Sequence, residues 1–143
     1  MRDKPLILIV DDEKDFADIV KTKLHSAGFD TVSADNADEA VKSAVRYMPD
    51  LILMDIFMGS GASGTDAALL IKHHPETKNL KIAFLSSLKD PWPGLTGNNE
   101  AVSQELGMEN FLDKTEDLNT LVGKIKEILT KQGQLQSPLE KHS

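Results

Sequence analysis

The chain has no cysteine among its 143 residues, so no disulfide can brace it and no thiolate can hold a metal. That fits a reducing compartment, and the cytoplasm is the expected location. Long apolar runs are missing as well. The opening MRDKPLILIVDDE carries one short apolar stretch ending in three acids, which excludes a signal peptide or membrane span there. Positive charge is in deficit, with 16 Lys and Arg against 23 Asp and Glu and a net charge of −7. Duplex affinity rests on Lys and Arg neutralising phosphates, so no direct nucleic-acid role is expected. Aromatics are sparse, and Trp92 is the only tryptophan.

What remains is ordinary globular stock, 40% hydrophobic and 27% charged. A chain of this size supports one core. Continuous apolar runs at Leu6 to Val10, Leu51 to Met54 and Ile82 to Leu85 have the length of strands buried on both faces. Weaker strand signals lie at Phe29 to Ala34 and Met108 to Leu112.

Helical patterns fall between the strands. Phe16, Ile19, Val20, Leu24 and Ala27 form one stripe, stopped by Gly28. Ala37 to Met48 forms the second, opened by Asn36 with Glu39 three residues on and closed by Pro49. A third runs from about Gly64 to His74 before Pro75, and a fourth from about Asn98 to Leu106 before Gly107. The fifth carries Leu118, Leu121, Val122, Ile125, Ile128 and Leu129, with Thr115 or Asp117 as its N-cap.

Five strands alternating with five helices predict an α/β fold: a (βα)5 doubly wound, flavodoxin-like three-layer sandwich with a parallel sheet. With the weak second and fifth strands as edges, the order is 2-1-3-4-5. Ligands then bind at the carboxyl ends of the first and third strands. Residues 131–143, KQGQLQSPLEKHS, lack periodicity and read as a flexible polar tail, with no room for a second domain.

The carboxyl ends carry the chemistry. An Asp pair is usually only solvated, but Asp11 and Asp12 close one buried strand and Asp55 closes another. Converging carboxylates repel unless a cation joins them, and an all-oxygen cluster suits Mg²⁺, which takes a few carboxylates, waters and a phosphate. Ser86 ends the fourth strand with a hydroxyl that can donate to a phosphoryl oxygen, and Lys114 ends the fifth with a mobile cation. Alone, each is an ordinary turn serine or surface lysine; together they describe a phosphate-handling site. His73 and His74 point about 100° apart on a helix that Pro75 ends, so they read as exposed termini.

These motifs resemble the receiver domains of two-component response regulators over about residues 5 to 130. Ile9-Val10-Asp11-Asp12-Glu13 is similar to the family's acidic opening, Leu51-Ile52-Leu53-Met54-Asp55 to its acceptor strand, and Phe111-Leu112-Asp113-Lys114 to its lysine strand. The resemblance implies a stand-alone, single-domain phospho-acceptor and not an enzyme in the ordinary sense. Asp55 is then the nucleophile, Ser86 the switching hydroxyl, Phe111 the switch aromatic and Lys114 the ion-pair partner. Mg²⁺ is implied on Asp11, Asp12, Asp55 and the backbone carbonyl of Phe57. A sensor histidine kinase or histidine phosphotransfer protein supplies the phosphoryl group, a downstream effector protein reads it, and a phosphorylation-dependent dimer belongs to the same repertoire.

The chain also departs from that pattern. The proline expected after Met58 is absent from a loop rich in glycine, Gly59-Ser60-Gly61-Ala62-Ser63-Gly64. Thr115 replaces the proline after Lys114, where a cis bond would cost about 2.5–4 kcal/mol, so trans is expected. The segment from Ser87 to Gly97 is longer than usual and holds Trp92, readable as an exposed partner anchor or as packing under the loop. Phe57 and Leu88, both unable to orient water, imply a long-lived acyl phosphate. Two rival readings remain. A phosphoaspartate hydrolase of the haloacid dehalogenase kind needs a second aspartate where Phe57 stands, and a pseudo-receiver would keep the fold without the chemistry.

Overall fold

A computed structural model describes residues 3–58, 63–87, 91–92 and 97–131. In chain order the elements are β1 (Leu6–Val10), α1 (Lys14–Ser26), β2 (Asp30–Ala34), α2 (Ala37–Tyr47), β3 (Leu51–Asp55), α3 (Gly64–His73), β4 (Ile82–Ser86), α4 (Asn99–Glu105), β5 (Asn110–Asp113) and α5 (Leu118–Lys131). The strands form one parallel sheet in the order β2-β1-β3-β4-β5, as the apolar gradient predicts. Every residue of β1, β3 and β4 is buried, because those strands take helices on both faces. The edges β2 and β5 are only partly covered. β5 starts two residues later than its apolar signal, and Met108 enters the core from the preceding turn.

Local chemistry sets the helix ends. Asn36 Oδ1 accepts from the Glu39 N–H at 2.9 Å, Ser63 Oγ from Asp66 at 3.1 Å and Asn98 Oδ1 from Ala101 at 2.7 Å, each satisfying a first-turn donor. Asp117, rather than Thr115, caps α5, its Oδ2 accepting from Asn119 and Thr120 at 3.0 and 3.3 Å. Gly28 leaves α1 at φ +96°, a conformation that excludes most side chains. His73 is exposed and His74 half-buried, its Nδ1 accepting from the Glu76 N–H at 3.2 Å.

Two apolar clusters sandwich the sheet. One joins Ile7, Ile9, Leu51 and Leu53 to Leu24 of α1 and Ile125 and Leu129 of α5. The other joins Leu8, Val10, Ile52 and Phe84 to alanines of α2 and α3. Among the described residues, no helix is long and apolar enough to cross a membrane. The glycine-rich stretch 59–62, Leu88 and the polar tail from residue 132 onward lie outside the described residues, so the expectations placed on them stay as sequence readings.

Candidate functional site

Adjacent parallel strands bring the acids together. Val10 of β1 lies opposite Met54 of β3, so the next residue on each chain, Asp11 and Asp55, emerges at the same carboxyl edge. One carboxylate oxygen from each of Asp11, Asp12 and Asp55 lies within 4.8 Å of the others. Asp11 and Asp55 are buried and Asp12 is exposed. Three hard oxygen donors so close, one facing solvent, fit a small divalent cation that keeps water ligands. The buried Asp11 Oδ2 adds to that fit: it has an ammonium beside it but no aligned hydrogen bond.

Lys114 comes from the neighbouring end of β5, where its N–H donates to the Ser86 carbonyl at 3.0 Å. Its Nζ stands 2.7 Å from Asp11 Oδ2, 2.7 Å from Glu13 Oε1 and 3.3 Å from Asp55 Oδ2, and 4.8 Å from the centre of the Phe16 ring. The described peptide bonds, Lys114-Thr115 included, are all trans. Asp113 shapes the turn that proline would otherwise shape: its Oδ1 accepts from the Thr115 N–H at 2.8 Å and hydroxyl at 2.6 Å.

The electrostatics follow from burial. Asp55 is pushed up from 3.8 to about 7, first by desolvation and then by the charge of Asp11, against the pull of Lys114 and the Phe57 N–H. Burial alone would lower the Lys114 pKa, but its contacts with Asp11 and Glu13 and the charge of Asp55 raise it above the usual lysine value. Lys114 is therefore a fixed cation beside an acceptor short of positive charge.

Ser86 is buried at the end of β4, in register with Asp113. Phe111 lies one strand over and is half-buried. Trp92 reaches both strands, its ring edge-on to Phe84 at 5.3 Å and to Phe111 at 5.8 Å, with Nε1–H donating to Thr65 Oγ1 at 3.1 Å. Half-buried among these groups, Trp92 packs against the β4–β5 side of the core and is not a free anchor. Phe57 donates its N–H to Asp55 Oδ1 at 3.4 Å, and the residue is 51% exposed. Gly64 opens α3 with its N–H donating to the Ile56 carbonyl at 2.8 Å, and a Cβ there would collide with the Asp55 carbonyl.

Comparison with known proteins gives this geometry a family. The profile of the response regulator receiver domain matches residues 7–126. The chain belongs to that family. A curated relative, the phosphate regulon transcriptional regulatory protein PhoB of Pseudomonas aeruginosa, is 30% identical over 136 residues, which cover 94% of this chain and 56% of the relative. The transcriptional regulatory protein YvrH of Bacillus subtilis is 36% identical over 89 residues, 62% of this chain and 37% of the relative. The chain thus spans about half the length, or less, of the curated relatives it matches. Among solved structures, the response regulator TrrA of Thermotoga maritima in complex with Mg²⁺ and beryllium fluoride is 28% identical with a TM-score of 0.73, covering 87% of this chain and 99% of that one. A response regulator from Chloroflexus aurantiacus is 27% identical with a TM-score of 0.75, covering 89% and 98%.

Of the residues singled out in the sequence of this receiver domain, Asp11, Asp12, Asp55 and Lys114 form one cluster, Ser86 ends the adjoining strand β4, and Phe111 lies within β5 opposite Phe84. Three features went unassigned: the Glu13 and Phe16 contacts to Lys114, the Asp113–Thr115 tie, and the approach of Gly64 to the acceptor. Glu13 carried a visible signal as a third consecutive acid. The other two depend on contacts that no spacing rule encodes.

Proposed function

We propose that this receiver domain, spanning residues 5–130, takes a phosphoryl group on Asp55 from the phosphohistidine of a sensor kinase or phosphotransfer protein. The observation that carries the reading is a buried Asp55 carboxylate with a lysine ammonium at 3.3 Å and two further carboxylates within cation-binding reach. A carboxylate oxygen attacks phosphorus as the phosphorus–nitrogen bond breaks and its electron pair leaves on the imidazole. Asp11, Asp12, Asp55 and the Phe57 carbonyl would hold Mg²⁺, which supplies charge neutralisation for the phosphoryl oxygens. Lys114 supplies the same at a fixed point, and Ser86 offers its hydroxyl to the transferred group.

The acyl phosphate then acts through Ser86 and Phe111 on the outer face of β5, where an effector protein or a second copy reads it. The domain works as a signalling acceptor in the cytoplasm, with slow loss of the group because exposed, apolar Phe57 cannot orient water at Asp55. The deficit of positive charge argues against direct nucleic-acid binding by this domain. Incubation with Mg²⁺ and acetyl phosphate tests the reading by intact mass. One stable phosphoryl adduct, absent in Asp55→Asn, is expected. No adduct from any donor would favour the pseudo-receiver, and continuous phosphate release the hydrolase.

A further inference from the structure

The N-cap of α1 is used in an unusual way. Short polar side chains are favoured at N-caps because they accept a hydrogen bond from the first turn. Glu13 occupies that position and makes no such bond. Its N–H is held by Asp11 Oδ1 at 2.9 Å, and its carboxylate crosses to β5, with Oε1 2.7 Å from Lys114 Nζ. The ammonium is therefore shared among carboxylates of different standing. Asp11 and Asp55 are buried members of the three-carboxylate cluster, whereas the Glu13 side chain is 64% exposed and lies outside it.

From this unequal sharing we propose that Glu13 is a positioning residue that holds Lys114 at the rim of the site, leaving Asp11 and Asp55 available to a divalent cation. The inference rests on the metal-assisted reading above. One ammonium and one divalent cation draw on the same buried oxygens, so each gains at the other's expense. A third anionic partner lowers the cost of loosening Lys114 from Asp11 and Asp55. The Phe16 ring, 4.8 Å from Nζ, adds a hold that uses no carboxylate. Glu13 thus does more than add negative charge: it decides where the positive charge rests.

The test is a Mg²⁺ titration of the metal-free full chain by calorimetry, with Glu13→Gln, Glu13→Ala, Lys114→Met and the Glu13→Gln/Lys114→Met double variant, folding checked by circular dichroism. Loss of Glu13 should weaken Mg²⁺ binding by roughly three- to fivefold, the scale of an exposed ion pair. In the Lys114→Met background the same change should alter affinity by less than about twofold, since there is no ammonium to hold. Unchanged affinity in both Glu13 variants of a chain that binds Mg²⁺ would overturn the role of Glu13 alone. So would an equal loss with and without Lys114, which would make Glu13 a direct attractor of the cation. A wild-type chain that binds no Mg²⁺ would overturn the metal reading and this role with it.

Discussion

The two faces of the sheet are built from different material. Against α1 and α5 the core is large and branched, with Leu24, Ile125, Ile128 and Leu129 filling the space over Ile7, Ile9 and Leu53. Against α2 and α3 it takes mainly Ala40, Ala44, Ala67 and Ala68, which bring helices close but give each little surface to bury, with Ile71 as the large fully buried helix residue. The second face also holds α4, seven residues long, whose Ser103 Oγ is buried with no hydrogen-bond partner among the described residues. The site draws on both. Glu13 and Phe16 hold Lys114 from the α1 side, while Phe111 and Trp92 lie against the α2–α4 cluster. A firm wall thus carries the fixed charges, and a lighter wall carries Phe111, through which the acyl phosphate is proposed to act.

The comparison breaks first if the walls respond alike to truncation. Leu24→Ala or Leu129→Ala should cost about 2–5 kcal/mol in urea unfolding, and Val102→Ala in α4 about 1 kcal/mol. Equal losses would remove the distinction. Next in size is Gly64→Val, which forces a side chain into the Asp55 carbonyl and should cost about 1–3 kcal/mol while suppressing phosphoryl uptake.

A pH series sharpens the electrostatic side. The folded pKa of Asp55, about 7, lies above its ordinary 3.8, so its contribution to stability is complete below about pH 4. It is lost as pH rises toward 7, because the folded state resists ionisation that the unfolded chain accepts. Asp55→Asn should therefore stabilise the metal-free protein progressively over that window, by about 2 kcal/mol at its upper end. Thermal melts at pH 4.5 and pH 7.5 measure it. The smallest effect belongs to the lighter wall: Ser103→Ala should be neutral or stabilising by up to about 1 kcal/mol, since it removes an unpaired buried hydroxyl.

How much of this was legible in the sequence differs by residue. Leu6 to Val10 and Ile82 to Leu85 announce buried strands because parallel sheets need apolar side chains on both faces. Asp11, Asp12 and Asp55 follow, since strand ends at one edge converge by topology alone. The aim of Lys114 does not follow, because it is set by Glu13, Asp11 and the Phe16 ring from elements about a hundred residues away. Trp92 was equally readable as anchor or packing, and only contacts with Phe84, Phe111 and Thr65 decide it. The trans turn at Thr115 was expected on energetic grounds, but the Asp113 side chain that stabilises it was not.

The central claim is that Asp55 takes the phosphoryl group. Borohydride reduction converts an aspartyl phosphate to homoserine, so peptide mapping after exposure to Mg²⁺ and acetyl phosphate reads the acceptor directly. Homoserine at position 55 alone is the result this account predicts. Homoserine at position 11 or 12, or at no position in a chain that is folded and binds Mg²⁺, would contradict it.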